Sequence, residues 1–295
     1  MISSLLFLAA LPCALAAGAN NTTSATALRI LPVGASVTFG VGSSTGNSYR
    51  LDLRTTLVSA GHEVNYVGRH RNGNFTDNQV EATSGFVLSQ IAEAARTATP
   101  MFLPNLVLIE AGTNNCNSGK LVPDAGANLT ALINDIFTAS PGVTVVAATL
   151  LANKVAAQDA CRVDVNKQYQ AMATSLEGQN KKFVLVDMRS PEGPTTSDLF
   201  DSRHPNDRGY VKMATVWGAG IKTAVEKGFI GAPKDNGTPL NGESKGSTGS
   251  TSPVGASAAM SSMSVVTAGA GEAMGASVVW TLIPAVVLAA VWTGW

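Results

Sequence analysis

The sequence has few of the charged, histidine and cysteine side chains that several classes of protein require. Its 295 residues carry 20 Lys and Arg against 20 Asp and Glu, so the formal net charge is zero. No basic patch and no interleaving of Arg with aromatic residues is present, which argues against nucleic acid as a partner. The three histidines do not cluster, and isolated cysteines do not make a metal site, so we expect neither a metal nor another cofactor.

Lys and Arg are also missing from the first residues, although this segment otherwise has the features of a secretory signal peptide. An apolar run from Leu5 to Leu15 overlaps an Ala-x-Ala pattern at Ala14 and Ala16. We predict a signal peptide over residues 1–17. The alternative is a buried N-terminal helix or an uncleaved anchor, but polar residues follow at once and the run is too short to span a bilayer.

Charge is absent after Glu272, and residues 276–295 form an apolar C-terminal tail. Two interpretations stay open: a membrane-spanning anchor, or a GPI attachment signal that is removed when a lipid is added upstream. A spanning segment is usually followed by cytoplasmic Lys or Arg, and none follows here. We therefore favour the GPI signal and expect a secreted monomer held at the cell surface or cell wall.

Residues 233–270 are rich in Gly, Ser, Thr and Pro and show no helical or strand period. A segment of this composition buries too little apolar surface to offset the entropy of ordering. We predict a flexible stalk. One domain is left, over residues 26–232, and it contains no internal repeat.

Two further features fit an oxidising, extracellular compartment. Cys13 would leave with the signal peptide, so Cys116 and Cys161 remain as an even pair, and we predict a disulfide between them. The chain also has Asn-x-Ser/Thr sequons, which accept glycans in secreted proteins. They lie at Asn20, Asn21, Asn74, Asn128 and Asn236.

Short apolar runs alternate with helical patterns through the domain. The runs are uniformly apolar, as in parallel strands that are covered on both faces. Strands joined by helices of this length are parallel, with right-handed crossovers. We predict an α/β fold, a three-layer α/β/α sandwich with a five-stranded parallel sheet, and a site beyond the carboxyl ends of the strands. The predicted strands cover residues 27–34, 64–68, 105–112, 142–150 and 181–188.

Candidate reactive residues follow the first and third strands. Ser36 comes two residues after Gly34, in a turn whose small neighbours would leave a nucleophile exposed; the alternative is a helix cap. Asn114 follows the third strand, and its side-chain N–H can donate to a developing oxyanion, although Asn is also an ordinary turn residue. The Gly-rich stretch after the first strand lacks Gly-Lys-Ser/Thr, so it is not a phosphate loop.

Two more segments would complete a site. Gly85, at a predicted helix start, either offers a free N–H aided by the helix dipole or belongs to a plain turn. After the fifth strand, Asp201 lies three residues before His204. That spacing lets the acid orient a histidine that acts as general base; the alternative is a polar helix entrance. His62 and His70 have no such setting, and we predict that both lie on the surface.

In chain order, these segments resemble the four blocks of the SGNH (GDSL-type) hydrolase superfamily, which supply Ser, Gly, Asn and His. The matching stretches are "GASVTFG", "EATSGFVLSQI", "GTNNCNSG" and "DSRHPNDRGY". The wording "GASVTFGVGSSTGNSYR…VNYVG" is most similar to fungal secreted members near carbohydrate esterase family three, which includes acetylxylan esterases. The resemblance covers about residues 27–226 and implies the flavodoxin-like fold of that superfamily.

The resemblance implies a serine esterase that needs no cofactor. It makes Ser36 the nucleophile, His204 the base and Asp201 its partner, and it forms the oxyanion hole from the N–H groups of Ser36 and Gly85 and the side chain of Asn114. The polar loops favour a short acyl group on a carbohydrate as substrate. A lysophospholipase or lipase is the alternative, and a non-catalytic glycan-binding module on the same fold is a second one.

The sequence departs from the family's pattern at Ala35 and Asn115, where the family usually has Asp. Neither position supplies the nucleophile, the base or the oxyanion amide. We therefore expect activity to survive with altered support of the two loops. A bond from Cys116 to Cys161 would replace part of that support by pinning the Asn114 loop.

Overall fold

The computed structural model describes residues 26–243. The predicted signal peptide, the predicted tail, the sequons at Asn20 and Asn21 and the stalk beyond residue 243 lie outside the described residues. Within residues 26–243, no helix combines the length and the apolar character that crossing a membrane requires.

Strands and helices alternate along the described chain. The strands are β1 (Leu28–Gly34), β2 (Val64–Tyr66), β3 (His70–Arg71), β4 (Gln79–Ala82), β5 (Leu106–Glu110), β6 (Thr144–Ala148) and β7 (Phe183–Val186). The α-helices are α1 (Ser36–Phe39), α2 (Arg50–Ser59), α3 (Leu88–Phe102), α4 (Ala125–Ala139), α5 (Ala156–Gly178) and α6 (Asp207–Glu226).

The strands form one mostly parallel sheet with β1 near its centre. Its order is β3-β4-β1-β5-β6-β7, and β2 also pairs with β1. All five predicted strands are present and parallel, which confirms the predicted fold class. The sheet nevertheless has seven strands rather than five, because β4 adds to β1 in parallel and β3 pairs with β4 in the antiparallel sense.

Two apolar layers cover the sheet, one on each face. One layer packs α3, α4 and α5 against one set of strand side chains. The other packs α2 and α6 against the opposite set. Successive residues of β1 illustrate this division, since Leu31 belongs to the first layer and Ile30 to the second. Every residue of β1, β5 and β6 is buried, which explains why their sequences are apolar without alternation.

Helix α6 begins at Asp207, directly after the loop that carries Asp201 and His204. Asn206 caps it, because its side-chain oxygen accepts a hydrogen bond from the N–H of Gly209 at 3.0 Å. Helix α5 begins at Ala156. Asn153 precedes that start, and its side chain accepts from the N–H of Val155 at 2.8 Å. Asn206 thus caps α6, and Asn153 bonds to the residue that directly precedes α5.

Residues 233–243, which the composition assigns to the stalk, lie against the domain. Arg29, only 2% exposed, donates to the carbonyl oxygens of Lys234 at 2.7 Å and Thr238 at 3.2 Å. The N–H of Gly242 donates to the carbonyl of Val64 at 3.0 Å, and Arg54 pairs with Glu243 at 3.1 Å. Polar side chains of the domain, rather than apolar burial, hold this segment in place.

Candidate active site

The predicted site residues meet at the carboxyl end of the sheet. Ser36 is the first residue of α1 and comes directly after β1. Asn114 lies in a short 3-10 turn, Thr113–Cys116, after β5. Asp201 and His204 lie in the loop between β7 and α6. Parallel strands place all these loops on one side of the sheet, which is where ligands bind in folds of this type.

Ser36, His204 and Asp201 form one chain of hydrogen bonds. His204 Nε2 lies 2.9 Å from Ser36 Oγ, and His204 Nδ1 lies 2.7 Å from Asp201 Oδ2. A carboxylate only accepts, so Nδ1 carries a proton, and in the neutral ring Nε2 is left to accept from the serine. This is the tautomer that a general base needs.

The turn that carries Ser36 depends on a missing side chain. A Cβ at Gly34 would overlap Thr38 Oγ1 and come within 2.8 Å of the carbonyl oxygen of Glu110. Only glycine therefore allows β1 to run into α1 at this point. Helix α1 has four residues and ends at Gly40, whose φ of 115° is in the left-handed region. Ser36 is 2% exposed, and its hydroxyl faces the imidazole of His204.

The Asp201–His204 loop is closed on itself by short hydrogen bonds. Asp201 Oδ1 accepts from the N–H groups of both Arg203 and His204 at 2.8 Å. The N–H of Phe200 donates to the carbonyl of His204 at 2.8 Å. Burial raises the pKa of Asp201, but the bonds from the backbone and ring of His204 and from the N–H of Arg203 outweigh it and lower the pKa to about 2. Asp201 is therefore ionised at neutral pH.

Asp198 fastens this loop to α6. Its carboxylate, fully buried, pairs with Arg208 at 2.6 Å and Lys212 at 2.7 Å, and it accepts from the N–H of Thr195 at 2.8 Å. Burial raises the pKa of Asp198, yet the Lys212, Thr195 and Arg208 contacts outweigh it and hold that pKa well below its usual range. Asp198 thus joins the loop to two positively charged side chains of α6, the helix that follows it.

The Asn114 turn is held at several points. Asn114 Nδ2 donates to the carbonyl of Phe86 at 2.8 Å. Gly112, with φ of 111°, has no room for a side chain, because a Cβ would lie 2.7 Å from the hydroxyl of Tyr169. The predicted disulfide joins Cys116 to Cys161 of α5, with 5.6 Å between the Cα atoms. Gly112 and the disulfide hold the turn, and the bond to Phe86 turns the amide nitrogen of Asn114 toward that carbonyl.

The sequence predicts a helix start at Gly85, but no helix begins there. Helix α3 begins at Leu88, with Val87 as its N-cap. Gly85 lies in the preceding turn with φ of 88°, where a Cβ would meet nothing within 4 Å. Glycine is therefore favoured at this position by backbone conformation rather than by crowding. Among the described residues, the N–H of Gly85 has no hydrogen-bond acceptor.

The two departures from the family's pattern have different surroundings. Asn115 Oδ1 accepts from the N–H of Leu88 at 2.9 Å, so it caps α3 with the oxygen that an Asp would offer. Ala35 is 3% exposed and belongs to the apolar layer that also contains Leu31 and Val33. The Ser36–His204 contact forms without an acid at position 35.

Three parts of this site were missed by the sequence analysis. The carbonyl of Phe86 orients Asn114, but a backbone acceptor leaves no signal in a sequence. Asn117 and Arg203 contact each other at 2.7 Å across the site. Their positions, three residues after Asn114 and directly before His204, were the only available signal.

A serine hydroxyl, an imidazole and a carboxylate bonded in this order are the arrangement of a serine hydrolase, here on a three-layer α/β/α fold. The family comparison agrees. The chain belongs to the GDSL-like lipase/acylhydrolase family, whose model matches residues 33–212. It is a carboxylic ester hydrolase of the SGNH type, as the sequence predicts.

The fold is similar to those of several solved esterases. A family 3 carbohydrate esterase from Clostridium thermocellum is 26% identical, with a TM-score of 0.60 over 69% of this chain and 99% of that chain. A carbohydrate esterase family 3 structure from Talaromyces cellulolyticus is 20% identical, with a TM-score of 0.59 over 68% and 99%. A lipase/acylhydrolase from Enterococcus faecalis is 17% identical, with a TM-score of 0.53 over 70% and 99%. No curated protein sequence matches the chain.

Proposed function

We propose that this esterase removes acetyl or other short acyl groups from a carbohydrate through an acyl-enzyme. The observation that carries the proposal is the hydrogen-bonded chain from Ser36 through His204 to Asp201. The 26% identity to a family 3 carbohydrate esterase over nearly all of that chain supports the choice of substrate.

In the first half of the reaction, Ser36 Oγ attacks the ester carbonyl while His204 Nε2 takes its proton. Asp201 keeps the ring in place and stabilises the imidazolium that forms. The collapse of the tetrahedral intermediate breaks the bond to the alcohol oxygen, which takes the proton from His204. Water then attacks the acyl-enzyme, with His204 again serving as base, and releases the carboxylic acid and free Ser36.

The negative charge on the carbonyl oxygen is held by three donors. Ser36 is the first residue of α1, so its N–H is among the groups of a helix that have no intrahelical acceptor. The N–H of Gly85 is also unused among the described residues. One N–H of Asn114 Nδ2 donates to the carbonyl of Phe86, and its second N–H remains available for the oxyanion. Losing one such donor typically lowers kcat about 10²–10³-fold.

The rim of the site favours a polar alcohol as the leaving group. Arg203 lies between the Asn114 turn and the His204 loop, and its guanidinium has donors to offer beyond the N–H that it donates to Asn117. Sugar hydroxyls match such groups better than hydrocarbon does. A polar rim therefore supports a carbohydrate ester.

One observation favours a second candidate, a lysophospholipase or small lipase. Phe200 is 69% exposed, and its N–H donates to the carbonyl of His204 at 2.8 Å. An exposed aromatic ring this close to the base offers apolar surface to a longer acyl chain.

The test compares the products that full-length protein releases from an acetylated polysaccharide and from a lysophospholipid. We expect acetate release from the polysaccharide, none from Ser36→Ala, and no change in that release for Phe200→Ala. Fatty acid release that is lost in Phe200→Ala would favour the lipase. A folded protein whose Ser36 is not labelled by a fluorophosphonate would instead be a non-catalytic glycan-binding module.

We also propose that the protein acts as a monomer at the cell surface, with a GPI anchor rather than a membrane-spanning tail. The Cys116–Cys161 disulfide suits an oxidising compartment. Asn74, Asn128 and Asn236 are exposed, as glycan acceptors must be. Release of the protein from cells by a phosphatidylinositol-specific phospholipase would support the anchor, and detection of Trp295 in the mature protein would contradict it.

A further inference from the structure

Three polar side chains connect the loop of the base with the oxyanion donor. Arg203 Nη1 donates to Asn117 Oδ1 at 2.7 Å. Asn117 Nδ2 donates to Asn114 Oδ1 at 3.1 Å. Asn114 Nδ2 in turn donates to the carbonyl of Phe86 at 2.8 Å. Neither Arg203 nor Asn117 has a part in the proposed chemical steps.

The two ends of this chain set the direction of its bonds, because Arg203 can only donate and the carbonyl of Phe86 can only accept. A guanidinium has only donors, so Asn117 must turn its oxygen toward it. The amide nitrogen of Asn117 then faces Asn114, whose side-chain oxygen must accept the hydrogen bond. Asn114 is left with Nδ2 toward Phe86 and the site. A side-chain amide can otherwise turn over, which would present the oxyanion with an oxygen instead of a donor.

We propose that Arg203 and Asn117 are positioning residues that keep the N–H of Asn114 pointed at the oxyanion. This inference rests on the proposed function, because it concerns the same reaction. A charged donor at the head of the chain also polarises the two amides in sequence, and hydrogen bonds in such chains strengthen one another. Asn114 thereby becomes a better donor than an isolated amide.

The backbone of the turn does not depend on these side chains. The N–H of Asn117 donates to the carbonyl of Asn114 at 3.2 Å, and the carbonyl of Asn117 accepts from Gln158 at 2.8 Å. The disulfide at Cys116 holds the same turn. Replacing the side chain of Asn117 therefore leaves the fold of the turn in place, and its effect on activity can be measured in a folded protein.

The principal variant is Asn117→Leu in the full chain, which keeps the approximate shape and adds no charge. We expect kcat on p-nitrophenyl acetate to fall about tenfold, which is less than the 10²–10³-fold typical for loss of a whole donor. KM should stay within about twofold, because the bond to the oxyanion strengthens only in the transition state. Asn117→Asp, which still accepts from Arg203 but turns an oxygen toward Asn114, should lower kcat at least as much.

A double-variant comparison separates positioning from direct action. If Asn117 acts through Asn114, then Asn114→Ala with Asn117→Leu should be no slower than Asn114→Ala alone. Arg203→Met should lower kcat in the wild-type background and have no effect beside Asn114→Ala, while Arg203→Lys should restore part of the loss. Arg96→Met is the matched control, since Arg96 pairs with Asp135 on the far helices and should leave kcat unchanged.

Three outcomes would overturn the proposal: wild-type kcat in Asn117→Leu, independent losses that multiply in the double variant, or a rise in KM alone, which would make Asn117 a substrate contact. NMR supplies a readout without turnover, because the side-chain amide protons of Asn114 should shift in Asn117→Leu and not in Arg96→Met. If Ser36 of the wild-type protein fails to react with a fluorophosphonate, the proposed function itself is wrong. That experiment uses no variant of Asn117 or Arg203, so its outcome is separate from the test of their positioning role.

Discussion

Asp201 acts on its loop with both carboxylate oxygens. One oxygen accepts from the backbone of Arg203 and His204, and the other holds the ring of His204. A single side chain therefore shapes the loop and selects the tautomer of the base. The amide of an Asn would keep the first set of bonds and reverse the direction of the second.

Asp201→Asn is expected to lower kcat about 10³–10⁴-fold. The amide nitrogen of the Asn can take the place of the oxygen that faces Nδ1. The proton of His204 would then move to Nε2, and a protonated Nε2 cannot accept a hydrogen bond from Ser36. Hydrolysis of p-nitrophenyl acetate measures the loss, with Asp135→Asn on the surface of α4 as the control. A loss smaller than tenfold would show that Asp201 does not set the tautomer.

The difference in stability between wild type and Asp201→Asn should also depend on pH. The pKa of Asp201 is lowered to about 2 in the folded protein, against about 3.9 in an unfolded chain. The stabilisation from its charge is therefore present above about pH 4 and is lost as the pH falls toward 2. Thermal melting should show a gap between wild type and Asp201→Asn that closes over this range. The gap in melting temperature should be modest, because the side chain of Asp201 is 43% exposed. A gap that persists at pH 2 would contradict the lowered pKa of Asp201.

At the scale of elements, the Asn114 turn connects two helices. Asn115 caps α3, and the neighbouring Cys116 is bonded to α5. The turn carries an oxyanion donor, so the helices on one face of the sheet hold part of the site. Two predictions separate these attachments.

Replacing both Cys116 and Cys161 with Ala should lower the free energy of unfolding by about 2–4 kcal/mol. The disulfide closes a loop with a sequence separation of 45, and removing it gives the unfolded chain more conformations. Urea denaturation measures the difference. We also expect kcat to fall, since the Asn114 turn loses an attachment beside the donor. An unchanged unfolding free energy would mean that the pair contributes nothing to stability.

Asn115→Asp tests whether this departure from the family's pattern impairs the enzyme. The carboxylate keeps the acceptor for Leu88 and adds negative charge at the N-terminus of α3, so stability should rise by about 0.3–1 kcal/mol. Its matched partner, Asn115→Leu, removes the acceptor and should cost about 0.5–2 kcal/mol. Kcat of the Asp variant should stay within about twofold of wild type. A large gain in kcat would show that Asn115 limits catalysis.

At the scale of the whole molecule, the sequence predicted what apolar runs and strand ends reveal. The five predicted strands are apolar runs, whereas β3 is exposed and β4 contains Glu81, whose buried charge is paired with Arg69. Neither β3 nor β4 has an apolar signature. The positions of Ser36 and His204 followed from the order of the blocks. The direction of the Asn114 amide did not, because it depends on contacts that exist only after folding.

The segment 233–243 was also unpredictable, since donors on Arg29 and Arg54 hold it rather than apolar contacts. A chain ending at Ala232 should therefore melt at a lower temperature than one ending at Glu243, because the buried guanidinium of Arg29 loses two of its four carbonyl acceptors. Both should have the same kcat on p-nitrophenyl acetate below their melting temperatures. Equal melting temperatures would show that the segment adds no stability.

This segment also ends at the side of the domain that lies away from the site. Gly242 is bonded to Val64, which pairs with Leu28 at the amino end of β1, while Ser36 follows the carboxyl end of the same strand. A strand of seven residues is about 20 Å long. The last described residues and the reactive serine therefore lie at opposite ends of the sheet. A partner that covers the end of the domain near Gly242 would leave the approach to Ser36 open.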